Sequence, residues 1–183
     1  MNIADFKIVF MGTPAFAANI LDGLVKAGFN IVCVVSQPDK EYGRKHLLKA
    51  SEVKEKAIKL GIPVLTPFQI KEEYEEVLSY DPDLIITAAY GQFIPEAVLN
   101  YPTFRCINAH GSLLPKYRGG APIQRAIMNG EDQTGITIQY MEKKMDRGDI
   151  LCQEAISIDL DDTNTTMFEK LSELALRMLI RLL

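Results

Sequence analysis

The chain has 183 residues, and 20 lysines and arginines against 24 aspartates and glutamates leave a formal charge of −4. That length fits about one domain, and 48% apolar with 24% charged residues supplies a core and argues against disorder. The acidic balance excludes a polyanion binder that works through bulk charge, and leaves a local basic loop as the route to nucleic acid.

Three cysteines, Cys33, Cys106 and Cys152, are too few and too odd in number for a disulfide framework. Each sits in an apolar run, where a thiol behaves as a small hydrophobe, and a reducing cytosol is the expected setting. No run reaches the 18 or so apolar residues of a membrane span. The uncharged stretch 8–21 is broken by Pro14 and Asn19 and preceded by Asp5, so it is not read as a signal peptide.

In chain order, residues 7–11 form a short β-rich run ending at Gly12, read as a buried strand. Thr13 and Pro14 open a helix as N-cap and first helical residue. Ile20, Leu21, Leu24 and Val25 give it helical spacing, and Gly28 ends it. A second buried strand covers 31–35, and residues 36–48 are polar and turn-rich. A helix is expected over about 51–60, a brief strand over 63–65 and a charged helix over 71–79. Strands follow at 84–88 and 105–110, with a helical turn or two at 95–99 between them. A Gly/Pro-rich loop spans 111–120, and a helix spans 122–128. Residues 134–141 alternate Ile136, Ile138 and Tyr140 with Thr137, Gln139 and Met141, the period-two pattern of a one-sided strand. A last strand at 149–158 and an amphipathic helix from Thr163 complete the pattern. The apolar ending 179–183 has no cap or polar tail and is read as interior to a longer polypeptide. Alternating strands and helices imply an α/β fold, a mostly parallel sheet with helices on both faces, whose ligand edge lies at the C-terminal ends of the strands.

Gly12-Thr13-Pro14-Ala15-Phe16 occupies the place of a dinucleotide loop, but it is not G-x-G-x-x-G, and a capped tight turn is the simpler reading. Asn108 and His110 are two apart at a strand end and face one side. An amide beside an imidazole suits an anion developing on a carbonyl oxygen; a hydrogen-bonded strand end is the competing reading. Asp146 lies in a turn before Arg147-Gly148. It serves turn chemistry, or it meets His110 if the turn folds back to the sheet edge and then favours the imidazolium. Leu113 and Leu114 in the following loop either pack back on the core or wall an apolar ligand. Lys40, Arg44, Lys45 and Lys49 form a basic stretch, either a solvated loop or a phosphate-contacting one. His46 lies inside that stretch and is read as part of a charged loop. No Cys/His cluster calls for a metal.

Asn108-Ala109-His110-Gly111-Ser112-Leu113-Leu114-Pro115, followed by Asp146-Arg147-Gly148, resembles the catalytic signature of the folate-dependent formyltransferases. Residues 8–16, Gln37-Pro38-Asp39 with Gly43-Arg44, and residues 118–125 are similar to members acting on an aminoacyl-tRNA. The resemblance covers nearly the whole chain. It implies a Rossmann-like three-layer formyltransferase fold, with residues 1–183 as a catalytic domain and a C-terminal barrel-like tRNA-binding domain beyond them. The implied reaction is transfer of the formyl group of 10-formyltetrahydrofolate to the α-amine of methionine on initiator tRNA, by direct amine attack through a tetrahedral intermediate. Asn108, His110 and Asp146 are the implied catalytic trio. Ser112, Leu113, Leu114 and Pro115 are implied at the folate site, and Arg44, Lys45 and Lys49 in a loop approaching the tRNA. The implied protein is a cytoplasmic monomer without a metal or a membrane partner. Acceptors on a nucleotide-linked amino sugar or on glycinamide ribonucleotide rank below tRNA, as does a non-catalytic Rossmann-like binding module.

Overall fold

Strand β1 is apolar at every position but its closing glycine because both of its faces are covered. In a computed structural model, which describes residues 5–42 and 46–183, the chain runs β1 (Ile8–Gly12), α1 (Ala15–Lys26), β2 (Ile31–Val35), β3 (Lys40–Tyr42) and β4 (Leu47–Lys49). It continues through α2 (Glu52–Lys59), β5 (Val64–Leu65), α3 (Glu75–Leu78), β6 (Leu84–Ala88), α4 (Glu96–Leu99) and β7 (Cys106–His110). The last third is α5 (Pro122–Met128), β8 (Gln133–Tyr140), β9 (Ile150–Ser157) and α6 (Asn164–Leu182). Seven of these strands form one sheet in the order β5-β2-β1-β6-β7-β8-β9. Neighbours from β5 to β7 pair in parallel, and β8 and β9 pair antiparallel.

Alternate residues of each strand serve opposite cores. Ile8, Phe10, Ile86, Ile107 and Ala109 join α1, α2, α5 and α6 on one face. Val9, Met11, Ile85 and Cys106 join Ile70, Val77, Val98 and Leu99 on the other. Each fully buried large side chain of this kind contributes roughly 1.5–3 kcal/mol over exposure. Helix α6 starts as expected at Thr163, whose hydroxyl and that of Thr166 form a reciprocal cap.

Four expectations change. Pro14, not Thr13, occupies the N-cap of α1, because the Thr13 hydroxyl donates instead to Tyr90 O at 2.8 Å. The charged helix expected over 71–79 is helical only at Glu75–Leu78; Glu72 N and Glu73 N both donate to Gln69 O, and the Glu73 carboxylate accepts from Gln69 N, which ties the segment as a turn. Strand β8 is buried on both faces over residues 134–139, because Thr137 and Gln139 find partners inside the protein rather than water. The turn-rich segment contains an antiparallel hairpin, β3 with β4.

Cys33 and Cys106 are buried and Cys152 half-buried, all as free thiols. Burial pushes the Cys33 and Cys106 thiols up to about 12 and raises that of Cys152. At pH 8 an aromatic disulfide reagent therefore reacts first with Cys152. Cys33 and Cys106 react at least about 100-fold more slowly until denaturant exposes them, as absorbance and mass mapping will show.

Candidate active site

The site is assembled where β1, β6 and β7 end. Gly12 lets α1 approach β6: a Cβ there would lie 2.6 Å from Ala17 Cβ and 2.9 Å from Ala88 O. After β6 the chain turns through Ala89 and Gly91, both at positive φ. Thr13 Oγ1 and Gln37 Nε2, from the loops after β1 and β2, both donate to Tyr90 O and pin this turn. A cavity of about 610 Å³ opens beside it, with Ala89 to Ile94, Leu99 and Met141 among its lining residues.

Asn108, His110 and Asp146 all line this one cavity. Parallel pairing sets Asn108 beside Thr87, and antiparallel pairing sets it opposite Gln139 and sets His110 opposite Thr137. Thr87 Oγ1 donates to Asn108 Oδ1 at 2.8 Å. The carboxamide is thus held by its oxygen, and Nδ2 has no hydrogen-bond partner among the described residues. His110 is buried. Its Nε2 donates to Tyr117 O at 2.9 Å, and its Nδ1 lies 3.7 Å from Asp146 Oδ1. With the Nε2 proton engaged, Nδ1 can donate to the carboxylate only when the ring carries both protons.

The turn that brings Asp146 back to the sheet is tight. A Cβ on Gly148 would lie 1.9 Å from Tyr140 O, so only glycine lets the turn lie flat against the end of β8. Asp146 Oδ2 accepts from Gly119 N at 2.7 Å and Oδ1 from Gln139 Nε2 at 3.1 Å. Its own carbonyl accepts from Arg118 Nε. The carboxylate is therefore tied to the 111–120 loop on one side and to β8 on the other.

Ser112, Leu113, Leu114 and Pro115, expected at the folate site, do not line the cavity. Ser112 is buried and donates to Lys116 O. Leu113 packs against the bare backbone of Gly135. Leu114 N donates to Thr137 Oγ1, and that hydroxyl donates to Ser112 O. Pro115 is exposed. This segment buttresses the strand end that carries His110. Arg44 and Lys45 lie outside the described residues; Lys49 is exposed on β4, 3.4 Å from Glu52. His46 pairs with Glu41. Among the described residues, no group of three or more His, Cys, Asp or Glu is placed to hold a metal ion, and no helix is long and apolar enough to cross a membrane.

The sequence reading missed Thr87, Gln139 and the 89–94 wall. Thr87 carried a signal, as the one polar residue in a strand otherwise apolar throughout. The wall carried none, because it is assembled from a turn.

Fold and site together define an α/β protein with a wound, mostly parallel sheet and a polar cluster of carboxamide, imidazole and carboxylate at the ligand edge. Comparison with known proteins matches residues 6–183 to the formyl transferase family, and the chain belongs to that family. It is 53% identical over 179 residues to the methionyl-tRNA formyltransferase of Ligilactobacillus salivarius, covering 97% of this chain and 56% of that protein. It is 55% identical over 168 residues to that of Lactiplantibacillus plantarum, covering 91% and 53%. The chain thus spans about half the length of the curated relatives it matches. Among solved structures, phosphoribosylglycinamide formyltransferase from Bacillus halodurans superposes with a TM-score of 0.76 at 24% identity, over 94% of this chain and 90% of that one. A sugar N-formyltransferase from a Shewanella species superposes at 0.67 and 22% identity, over 95% and 66%. At these identities the likeness is one of fold.

Thr87→Val keeps the shape of the side chain and deletes the donor that fixes Asn108. If the site works as proposed below, turnover is expected to fall by about 10-fold while the fold, read by circular dichroism, is unchanged.

Proposed function

We propose that this chain is the catalytic part of an enzyme that transfers the formyl group of 10-formyltetrahydrofolate to the α-amine of methionyl initiator tRNA. The observation that carries the reading is the convergence of Asn108, His110 and Asp146 on one cavity in a chain of the formyl transferase family. The choice of acceptor is supported by relatives named methionyl-tRNA formyltransferase at 53% and 55% identity. The ribonucleotide and sugar formyltransferases share the fold at 24% and 22% identity and give no comparable support for their acceptors.

In this reading the apolar side of the cavity, at Ile94, Leu99 and Met141, receives the ring system of the donor. The formyl group then lies at the Asn108 end. A formyl amide is a poor electrophile, and amine attack places negative charge on its oxygen. Asn108 Nδ2–H, already aimed by Thr87, donates to that oxygen; one such donor is worth roughly 3–4 kcal/mol of barrier. A new C–N bond forms to the α-amine and the bond to the donor nitrogen breaks. The proton lost by the amine ends on that leaving nitrogen, and the His110–Asp146 pair holds it in transit. The stretch of sequence from about residue 37 to 49, which carries Arg44, Lys45 and Lys49, approaches the tRNA, and a C-terminal barrel-like domain beyond residue 183 shares its binding.

The test is formation of formylmethionyl-tRNA from 10-formyltetrahydrofolate and charged initiator tRNA by the native full-length protein. Asn108→Ala and His110→Ala are each expected to lower kcat by at least about 100-fold with little change in donor KM. Near-parental turnover in either variant overturns the assignment of that residue. Formylation of an amino-sugar nucleotide in place of the tRNA overturns the acceptor.

A further inference from the structure

Gln139 is 2% exposed and lines the cavity, yet its Oε1 has no hydrogen-bond partner. Its orientation is not in question. Nε2 faces Asp146 Oδ1 at 3.1 Å, and a carboxylate oxygen facing an amide accepts, so the amide oxygen must point the other way. Directly opposite Gln139 in the β7–β8 register stands Asn108. Side chains opposed in this way share a face, with Cβ atoms about 4.5–5.5 Å apart. Asn108 is complementary: its oxygen is taken by Thr87 and its Nδ2 carries two protons with no partner among the described residues. An unpaired buried acceptor thus sits across from an unpaired donor, in a site where leaving either unmade is costly.

We propose that Gln139 is a positioning residue that links Asn108 to Asp146. When the site is engaged, Gln139 Oε1 accepts one N–H of the Asn108 carboxamide, so that the other N–H points at the formyl oxygen. Its own Nε2–H keeps Asp146 beside His110. The result is a chain of bonds running one way: Thr87 O–H to Asn108, Asn108 N–H to Gln139, Gln139 N–H to the Asp146 carboxylate. Each bond polarises the next, and the row ends on a negative charge. Only a side chain with an acceptor at one tip and a donor at the other completes it. Methionine supplies no donor and only a weak sulfur acceptor, and ionised glutamate cannot donate to Asp146.

This inference rests on the proposed formyl transfer for its kinetic test. Gln139→Met is expected to lower kcat by about 10- to 100-fold with donor KM within about threefold, while the melting temperature stays within about 3 °C because an unpaired buried oxygen is removed along with the bond. In an Asn108→Ala background the same substitution is expected to cost less than about threefold. Equal losses in the two backgrounds, or parental kcat in Gln139→Met, overturn the link. A second measurement needs no turnover. By NMR with and without added tetrahydrofolate, one of the two Asn108 side-chain amide protons, assigned by its loss in Asn108→Ala, should exchange at least about tenfold more slowly in the parent than in Gln139→Met in the state in which the site is engaged. Equal exchange under both conditions overturns the link, whereas absence of formyl transfer by the parent overturns the functional reading and leaves this measurement to decide.

Discussion

The site depends on the register of a single strand. β7 is the last parallel strand and the first to meet an antiparallel one, and its five residues are sorted by the pleat. Ile107 and Ala109 enter the core beneath α1 and α6. Cys106, Asn108 and His110 face the other way, where Cys106 still belongs to a core and the next two face the cavity. A slip of one residue would exchange the sets, burying an amide and an imidazole among aliphatic side chains and offering Ile107 and Ala109 to the substrate. The apolar packing of one face therefore fixes the polar geometry of the other.

The strands present the groups, and the connections hold them under tension. Ala89, Tyr117, Ala121 and Asp146 all have positive φ, a region non-glycine residues visit at a cost of order 1 kcal/mol or more. Each lies in a segment that borders the cavity or bonds to one of the clustered polar groups. Tyr117 presents its carbonyl to His110. Asp146 is bonded by Gly119 N, Gln139 and Arg118. Ala89 precedes the carbonyl that receives both Thr13 and Gln37. The hydrogen bonds offset the backbone cost, and they set side-chain directions that an unstrained loop would leave free.

How much of this was legible follows from how far each feature reaches along the chain. β1 and β2 are continuous apolar runs, β6 is one broken only by Thr87, and α6 carries its cap and amphipathic spacing within itself, so local reading finds them. The shared face of Asn108 and His110 is equally local. Asp146 is different: its approach to His110 needs Gly148 to fold the turn against Tyr140, and nothing near residue 146 encodes that meeting. The resemblance to a family supplied it. Thr13 failed as a cap because its hydroxyl serves a turn 77 residues away. Gln139 read as the solvent side of a strand because its partners, Asp146 across a turn and the facing Asn108, are matters of tertiary pairing. For Leu113 and Leu114 the residues alone left back-packing and a ligand wall both open, and only tertiary packing decides where they lie: Gly135 opens a place for Leu113, and Leu114 is buried.

The same geometry bears on the choice between direct transfer and a covalent relay. A relay needs a nucleophile with a free approach to the formyl carbon. Cys106 shares the face of Asn108, but burial pushes its thiol up to about 12, far from a thiolate at neutral pH, and it lies in the core rather than the cavity wall. Ser112 follows His110 closely, but it is fully buried and its hydroxyl is committed to Lys116 O. The Thr87 hydroxyl serves Asn108. What faces the cavity is a carboxamide, Asn108, and an imidazole beside a carboxylate, His110 with Asp146. In the proposed reaction those groups stabilise charge and move a proton, and they form no bond to carbon. The proposed reaction accordingly leaves the nucleophile to the substrate: the amine brings the electron pair, and the protein arranges where the charge and the proton go.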